Sequence, residues 1–502
     1  MSEITRRHLL RGAAALTGTL TLGSLAACSR TGTVVAPTSD AVAAAEAARR
    51  VAGRGVVTAR LTPRPVTVNL GGRVVSTWAY GDTVPGPLLR ATAGDLLRVD
   101  VDNQLPAETS VHWHGIALRN DMDGVPGITQ QPIRAGRGFE YAFTAPDPGT
   151  YFYHPHSGVQ LDRGLYGVLV VDDPAEPGAY DEEWVVVLDD WLDGTGRTPD
   201  QELSRLRAGQ NESGSDSDGM GGMDGGMGMG GMGGEMQSAL LGGAGDITYP
   251  HYLINGKTPD APVTLSANPG ARIRIRIINA GSDTAFRVAL GDHEMTVTHS
   301  DGFPVTPITT DAVMIAMGER YDVTVTLGDG VFALVASAEG KNGQGLAVVR
   351  TGSGRTPPPD LHPTQLDRSV LLGTELAVVE QVALPARSVD REHDVVLGGS
   401  MARYRWTING KTFPDADPLS VRQGERVRLH FQNRSMMFHP MHLHGHTFGL
   451  QDGGARKDTV IVRPMQTVTV DLDADNPGQW AAHCHNIYHA EAGMMTTLSY
   501  EK

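Results

Sequence analysis

The chain has 502 residues, and at about 150 residues per domain this length predicts three domains rather than one. Hydrophobic residues make up 40% and charged residues 20%, a balance typical of a soluble globular protein. The formal net charge of −15 argues against a nucleic-acid partner, because binding to phosphate backbones needs a basic surface. The 62 Gly and 30 Pro residues indicate many short strands joined by turns.

The N-terminus carries an export pattern. Arg6 and Arg7 form a twin-arginine pair, and the apolar run that follows ends at Cys28. We interpret residues 1–28 as a twin-arginine lipoprotein signal, with Cys28 as the lipidated first residue of a protein anchored at the outer face of the cell membrane or in the periplasm. An uncleaved anchor is the alternative, but the run is short for a spanning helix. Residues 29–50, rich in Ala, Ser and Thr, are predicted to form a tether.

From residue 56 onward the pattern is typical of strands. Apolar and polar residues alternate in residues 66–70, 97–101 and 139–143, and Gly and Pro turns separate these runs. Helical periodicity is scarce, except for a possible short helix over residues 200–208. The pattern predicts an all-β fold made of sandwiches.

A degenerate repeat runs through the chain. Residues 254–257 (Ile-Asn-Gly-Lys) recur as residues 408–411, and each copy is followed by a strand-like segment that ends in Asn. A third such segment, residues 95–103, lies in the first region, so three domains of one fold are predicted. With boundaries near Asp173 and in the Pro-rich segment 355–363, the predicted domains are residues 51–173, residues 174–354, and residues 355–502 including the linker.

Residues 209–245 belong to no domain pattern. Gly dominates this segment, which cannot bury a core and is predicted to be an insertion in the second domain. It contains six methionines: Met220, Met223, Met227, Met229, Met232 and Met236. Thioethers are soft ligands that favour Cu(I), so we interpret the segment as a copper-handling loop. A passive low-complexity loop is the alternative.

The two cysteines, Cys28 and Cys484, have very different contexts, so no disulfide is predicted. Cys484 lies between His483 and His485, and on a strand the two imidazoles point to one face and the thiol to the other. A thiolate with imidazole and a weak axial thioether is the ligand set of a blue-copper site. His489 and Met494 follow at a short distance and complete this pattern.

Eight of the 18 histidines form four pairs with one intervening residue. The pairs are His112 and His114, His154 and His156, His442 and His444, and His483 and His485. A single pair of this kind is weak evidence, since a core or surface histidine is its usual explanation. Two pairs in the first domain and two in the last predict a metal cluster at the interface of these domains. Three copper ions would take eight imidazoles as two, three and three.

Together these motifs resemble the three-domain multicopper oxidases, the family of laccases and bacterial cuprous oxidases, over roughly residues 50–502. The exported copper-tolerance enzymes, including the mycobacterial lipoprotein type, are the most similar in motif pattern. The resemblance implies three cupredoxin-like Greek-key β-sandwich domains and four copper ions. It also implies one-electron oxidation of a reductant coupled to the four-electron reduction of dioxygen to water.

The resemblance assigns the copper ligands as follows. It implies His439, Cys484, His489 and axial Met494 for type 1 copper, His112 and His442 for type 2 copper, and His114, His154, His156, His444, His483 and His485 for the two type 3 coppers. His446 lies outside the pattern and is interpreted as structural. The axial Met implies a moderate rather than a high type 1 potential.

Oxygen reduction needs protons, and the family places carboxylates near the cluster. Asp123, nine residues after His114, matches one of them. The second usually follows the last type 1 histidine directly, where this chain has Ala490, with Glu491 one residue later. Neighbours on a regular strand face opposite ways, so the match of Glu491 as a proton relay is incomplete.

The reductant is less sharply indicated. Met437 matches the Met that cuprous oxidases place two residues before the first type 1 histidine, and Met436 precedes it. The Asp of those enzymes is replaced by Ser435. We expect a monomeric cuprous oxidase that serves copper tolerance and also oxidises Fe(II) and phenols. A laccase-like phenol oxidase and a Met-rich copper-binding buffer are the alternatives, whereas a two-domain nitrite reductase does not fit ligands from the first and last domains.

Overall fold

The computed structural model describes residues 34–176, 180–209 and 237–502. Within these ranges the chain is mostly β-structure, arranged as successive pairs of packed sheets that form three sandwich domains. The predicted all-β fold class is confirmed. No helix in the described ranges is long and apolar enough to cross a membrane.

Domain 1 contains nine strands. They are β1 (Val56–Leu61), β2 (Pro63–Asn69), β3 (Val74–Tyr80), β4 (Leu89–Thr92), β5 (Leu96–Asp102), β6 (His112–His114), β7 (Gly138–Thr144), β8 (Gly149–His154) and β9 (Gly167–Asp172). Their sheet orders are β1-β5-β7 and β4-β9-β8-β6, with β2-β3 as a separate hairpin. In β5 Leu97, Val99 and Val101 are buried and the intervening Arg98 and Asp100 are exposed, which is the expected pattern of a strand with one face in the core.

The described residues of domain 2 contain the next twelve strands. They are β10 (Glu182–Trp191), β11 (His251–Ile254), β12 (Thr264–Ser266), β13 (Arg272–Asn279), β14 (Phe286–Leu290), β15 (Met295–Ser300), β16 (Phe303–Thr310), β17 (Ala312–Ile315), β18 (Arg320–Thr326), β19 (Val331–Ala338), β20 (Gln344–Arg350) and β21 (Val370–Leu371). The sheet orders are β11-β10-β13-β18-β15-β16 and β12-β20-β19-β14-β17-β21. Because β21 pairs with β17, part of the segment that we assigned to the linker and third domain packs on domain 2.

Domain 3 contains eleven strands. They are β22 (Arg391–Ser400), β23 (Arg405–Ile408), β24 (Leu419–Val421), β25 (Arg426–Asn433), β26 (His439–Leu443), β27 (Phe448–Leu450), β28 (Arg456–Lys457), β29 (Thr459–Val462), β30 (Thr467–Asp473), β31 (Gln479–Cys484) and β32 (Met495–Tyr500). The sheet orders are β23-β22-β25-β30-β27-β28 and β24-β32-β31-β26-β29.

Helices are few and short in the part of the chain that the structure describes. The α-helices are α1 (Asp40–Arg49), α2 (Pro199–Arg207) and α3 (Ile487–Glu491). Short 3₁₀ turns cover Asn120–Met122, Gln160–Arg163, Thr364–Asp367, Gly373–Glu375, Glu380–Val382 and Met401–Arg403. The predicted short helix corresponds to α2, which begins with a capping box between Thr198 and Gln201.

The repeated Asn has the same role in all three domains. Asn103, Asn279 and Asn433 are buried at strand ends. Each side-chain amide donates to one backbone carbonyl of the following loop and to a second carbonyl 29 to 36 residues further along the chain. The side-chain oxygen accepts the backbone N–H two residues later. In domain 1 this loop leads to His112, and in domain 3 it leads to His439. The repeat therefore fixes the chain just before the first metal-ligand candidate of each of these two domains.

The predicted tether over residues 29–50 is wrong for its described part. Residues 40–49 form α1, in which Val42 and Glu46 are buried. The Glu46 carboxylate accepts hydrogen bonds from the Thr144 backbone N–H and hydroxyl at 3.0 and 2.8 Å. Val35 N–H donates to the Tyr500 carbonyl near the C-terminus. The Ala-rich composition of this segment resembles that of a linker, but these few contacts attach the segment to the folded chain. The predicted signal, residues 1–28, lies outside the described residues.

Candidate metal centre

One group of potential ligands contains the single described cysteine. Cys484 ends β31, His439 begins β26 and His489 lies in α3. Cys484 Sγ is 3.6 Å from Nδ1 of both histidines, and the two Nδ1 atoms are 3.1 Å apart. All three side chains are buried, as is Met494, whose backbone bonds to Cys484 and His489. The structure thus brings together the four residues predicted for type 1 copper.

All three domains hold the short helix that carries His489. The Asn486 side chain caps α3 by accepting from the backbone N–H groups of Tyr488 and His489. Its amide donates to Asp283 of domain 2 at 2.6 Å, and the Tyr488 hydroxyl donates to Asp162 of domain 1. Although α3 is only one turn long, the position of His489 is therefore fixed by three domains.

The outer nitrogens of both type 1 histidines have polar partners. The Ser435 hydroxyl lies 2.8 Å from His439 Nε2, and an Asp246 carboxylate oxygen lies 2.8 Å from His489 Nε2. The same Asp246 oxygen accepts from the Tyr404 hydroxyl at 2.7 Å. Burial opposes protonation of His489, but Asp246 and Cys484 raise its pKa to about 10. Asp246 was not predicted as a site residue, because it directly follows the Gly-rich insertion and belongs to no sequence motif.

The eight paired histidines converge at the contact of domains 1 and 3. Their ligand atoms fall into three groups within 4.8 Å: His112, His114 and His442; His114, His154 and His485; and His156, His444 and His483. Strand register explains the convergence, because His112 is paired with His154 across β6 and β8, and His442 with His483 across β26 and β31. His114 occurs in two of these groups. When it is counted with His154 and His485, His112 and His442 remain as a pair and the other six histidines form two sets of three.

The unpaired nitrogens show that these groups fit metal ions. Buried imidazole nitrogens without a hydrogen-bond partner are costly in a folded protein. Five histidines have such nitrogens: His112 Nε2, His114 Nδ1, His154 Nε2, His442 Nε2, and both nitrogens of His485. Burial and the neighbouring imidazoles lower the pKa of His154, His156, His444 and His485 well below the usual value and that of His483 to about 3. Neutral imidazole is the form that binds metal.

Backbone carbonyls orient half of these eight rings. His112 Nδ1 donates to the carbonyl of Asp123, His154 Nδ1 to that of Pro155, and His483 Nδ1 to that of Cys484, at 2.8 to 3.0 Å. Each bond fixes the tautomer and leaves Nε2 directed to the cluster. Cys484 thus places its sulfur in the predicted type 1 group and its backbone carbonyl on His483, a member of the histidine cluster. This residue therefore connects the predicted type 1 site with the histidine cluster.

Asp123 lies between two of the ligand sets. Its Oδ2 is 3.0 Å from His444 Nδ1. Its Oδ1 is 3.2 Å from His112 Nδ1 but makes no hydrogen bond, and the side chain is fully buried. One carboxylate thus contacts a predicted type 2 ligand and a predicted type 3 ligand.

Comparison with known proteins agrees with this geometry. Three family models, each described as multicopper oxidase, match residues 63–176, 182–354 and 388–502. Multicopper oxidase MmcO of Mycobacterium tuberculosis is 52% identical over 486 residues, covering 95% of this chain and 94% of that protein. The chain belongs to the multicopper oxidase family. Its cofactors are copper ions of types 1, 2 and 3, which supply the redox chemistry of this oxidoreductase when bound.

More distant relatives match over most of their length. The copper resistance protein A homolog of Pseudomonas syringae pv. tomato is 30% identical, over 88% of this chain and 92% of that protein. The crystal structure of Fet3p, a multicopper oxidase that functions in iron import, has a TM-score of 0.74 and covers 89% of this chain and 90% of its own. At 21% identity this likeness shows the fold alone.

Asp458 is a second carboxylate of the oxidase that sequence analysis missed. Its Oδ1 lies 3.2 Å from His114 Nε2 and 3.4 Å from His442 Nδ1, and its backbone carbonyl accepts from His442 Nδ1. The neighbouring Thr459 hydroxyl contacts both imidazoles. Burial opposes ionisation of Asp458, but Arg320 and these hydrogen bonds hold its pKa well below the usual range.

A small cavity of about 20 Å³, enough for one water-sized molecule, reaches the predicted type 3 histidines. His154, His156, His483 and His485 line part of it. Leu161, Ile487, Ala490 and Glu491 are among the residues that line the rest. The oxidase therefore has space beside its predicted type 3 ligands for one molecule of the size of water.

Glu491 does not lie on a strand, so the expectation that Ala490 and Glu491 face opposite ways is wrong. Residues 487–491 form α3, where neighbouring side chains are about 100° apart rather than on opposite faces. Ala490 and Glu491 both line the cavity, and burial raises the pKa of Glu491. Helical periodicity could not reveal α3, because five residues are too few to show it.

The predicted reductant residues are only partly described. Met437 is half-buried and Met436 is 74% exposed, both beside the Ser435 loop. The six methionines of the insertion and the predicted lipidation site Cys28 lie outside the described residues. His446 is in none of the three imidazole groups, and its ring nitrogen is 2.6 Å from the Tyr500 hydroxyl.

Proposed function

We propose that this multicopper oxidase oxidises Cu(I), with Fe(II) and phenols as further reductants, and that it serves copper tolerance. The observation that carries the proposal is the thioether of Met437, half-buried two residues before His439. Soft sulfur ligands favour Cu(I) over harder cations. The relative named copper resistance protein A homolog supports the role in copper tolerance.

Met437 is tied to the type 1 site by hydrogen bonds. The Asn433 amide and the Ser435 hydroxyl both donate to its carbonyl, at 2.6 and 3.1 Å. The same Ser435 hydroxyl contacts His439 Nε2. A cuprous ion at the Met437 sulfur would therefore lie one short loop from a ligand of the electron-accepting copper.

We further propose that the Met-rich insertion supplies Cu(I) to this site. Its two described flanks both contact the type 1 region. Arg207 at the end of α2 donates to the Glu491 carbonyl at 2.6 Å, two residues after His489. On the other side, a Cβ added to Gly243 would lie 3.0 Å from Met437 Sδ, so the backbone there packs directly on the thioether.

Met437→Leu is expected to lower kcat/KM for Cu(I) about tenfold, which corresponds to the loss of about 1.4 kcal/mol of interaction. Leu keeps the volume of Met and removes only the soft ligand. Activity with a phenol should change little, because a phenol does not need the sulfur. Oxygen uptake with Cu(I), Fe(II) and a phenol, measured on the copper-loaded protein, provides the test.

Met295→Leu, in the buried core of domain 2, is the matched control and should alter none of the three activities. Equal losses of all three activities in Met437→Leu would refute a Cu(I) site and favour the laccase-like alternative. Changing the six insertion methionines to Ser keeps the loop length. Cuprous activity that survives this change would remove the insertion from the proposal.

Asp246→Asn is expected to raise the type 1 reduction potential. The Asp246 carboxylate next to His489 Nε2 increases electron donation by the imidazole and so favours the oxidised metal. A neutral amide removes this effect, and we expect a rise on the order of 60 mV, a tenfold change in a one-electron equilibrium. A redox titration of the blue absorption measures it.

Tyr404→Phe is the matched variant with the opposite expected effect on the type 1 potential. It removes the hydroxyl that shares the Asp246 carboxylate, leaves more negative charge on the His489 side, and should lower the potential. Shifts of the same sign in both variants would contradict this account of His489.

We propose that the protein is exported by the twin-arginine route and lipidated at Cys28. Residues 1–28 carry the twin-arginine pair and the cysteine that such processing requires. The mass of the mature N-terminus should show a lipid on Cys28, and Cys28→Ala should move the oxidase from the membrane to the soluble fraction. An unmodified N-terminus would refute the anchor. We also expect a monomer, which light scattering of the mature protein tests.

A further inference from the structure

Domain 2 contributes none of the described residues that form the copper-ligand groups, yet one of its turns touches the trinuclear centre. Gly318 has φ +84°, and a Cβ at this position would lie 2.9 Å from His485 Cγ and 3.0 Å from His114 Cε1. Only glycine lets the backbone approach two type 3 imidazoles so closely. The turn that precedes β18 thus forms a wall of the oxygen-reducing centre.

Arg320, two residues later, makes the polar contacts of this wall. Its guanidinium binds both oxygens of Asp458, at 2.7 and 2.6 Å. Its Nε donates to the Thr150 carbonyl at 3.0 Å. The side chain is fully buried, so one residue of domain 2 joins domain 1 to domain 3. The planar fork of Arg suits such two-pronged binding of a carboxylate, whereas Lys offers a single nitrogen.

The other side of Asp458 faces the ligands. The oxygen that Arg320 Nη1 binds is also within 3.2 Å of His114 Nε2 and 3.4 Å of His442 Nδ1. His114 belongs to a type 3 set and His442 to the type 2 pair. Asp458 of the ion pair therefore contacts two kinds of predicted copper ligand, one on domain 1 and one on domain 3.

The ion pair also accounts for the glycine of the His-Trp-His-Gly motif. Gly115 has φ +86°, and a Cβ there would lie 2.5 Å from Arg320 Nη2 and 2.7 Å from Asp458 Oδ2. Any side chain at this position would push the pair apart.

Asp301 bonds to the backbone of both residues of the ion pair. Its carboxylate accepts the backbone N–H of Arg320 at 2.9 Å and those of Asp458 and Thr459 at 3.3 and 3.2 Å. Lys457 Nζ lies 3.0 Å from the same carboxylate and keeps it compensated in the buried site.

We propose that Arg320 is a positioning residue of the oxygen-reducing centre: through Asp458 it fixes the imidazoles of His114 and His442, and so couples domain 2 to copper binding by domains 1 and 3. The ion pair orients the rings from outside, and outer partners of this kind set metal affinity. Arg320 makes no contact with the type 1 ligands, so its effect is confined to the trinuclear centre.

Arg320→Lys tests the proposal because it keeps the charge and loses the fork. We expect the affinity for the type 2 copper to fall about 10- to 100-fold, the range found when outer partners of metal ligands are removed. Chelator titration with copper analysis measures this affinity. The type 2 signal in electron paramagnetic resonance should weaken, whereas the blue absorption of the Cys484 site should be unchanged.

Arg276→Lys is the matched control. Arg276 is equally buried in domain 2, and it binds the Thr150 hydroxyl at 2.8 Å and Asp322 at 3.0 Å, but it contacts no copper ligand. It should keep the parental type 2 signal and affinity. Equal loss in both variants would overturn the proposal, since domain contact in general would then explain the effect.

Asp458→Asn changes the other residue of the ion pair, and it provides the test of the proposal if Arg320→Lys does not fold. It keeps the size of the side chain and removes the charge that Arg320 binds. We expect the same selective loss of type 2 copper, and the double variant should lose little more than either single one, because the two residues act as a unit. Parental copper affinity in Asp458→Asn, or additive losses in the double variant, would refute the proposal.

Discussion

Cys484→Ser is expected to abolish oxygen uptake with every reductant and to remove the blue absorption. Cys484 Sγ lies 3.6 Å from Nδ1 of His439 and His489, and we propose that a thiolate at this position is the entry point for electrons. Ser keeps the shape of the side chain, but its hydroxyl does not ionise to a comparable soft ligand. Oxygen uptake and the visible spectrum of the copper-loaded variant provide the measurement.

The same variant should keep its other coppers. None of the eight paired histidines is changed, so the type 2 signal should remain and the copper content should fall by one ion per chain. His446→Gln is the control, because His446 is buried beside the site but bonds to Tyr500 instead of belonging to a ligand group. It should retain colour and activity. Residual oxidase activity in Cys484→Ser would contradict the assigned electron route, and copper tolerance that persists in cells carrying it would favour the buffer function.

The convergence of the paired histidines was predictable because their spacing is local. Two histidines separated by one residue reach the same face of a strand, and this periodicity is visible without the fold. It also predicted that His483 and His485 would separate from Cys484, and the three side chains indeed lie in three different ligand groups. The repeated strand-end Asn was equally local, and its side-chain oxygen accepts the backbone N–H two residues later in all three copies.

The surroundings of the ligands were not predictable in this way. Asp246 and His489 are 243 residues apart, and Arg320 and Asp458 are 138 residues apart. No periodicity links such positions, since only the packing of whole domains brings them together. A carboxylate in a polar loop has many possible partners before that packing is known. Composition misled in a similar way over residues 34–50, where an Ala-rich segment docks through a few contacts such as Glu46 with Thr144.

Asp123→Asn is expected to slow the reduction of dioxygen about 100-fold, the lower end of what a positioned acid–base group contributes. Asp123 Oδ2 bonds His444 Nδ1, and the unpartnered Oδ1 beside His112 is an atom on which a proton can be held and released. Asn keeps the acceptor for His444 but cannot carry that proton. The step is measured by mixing the fully reduced protein with oxygen and following the return of the blue absorption.

Anaerobic reduction of the type 1 site should proceed at the parental rate in Asp123→Asn, because Asp123 contacts none of its ligands. Asp121→Asn is the matched control: Asp121 lies two residues away in the same turn and pairs with Arg119 at 2.6 Å. It should leave both steps unchanged, since its partner is remote from the histidines. Slow type 1 reduction in Asp123→Asn would point to a structural role instead, and unchanged reoxidation would show that protons reach the trinuclear centre by another route, for which Glu491 at the cavity is the candidate.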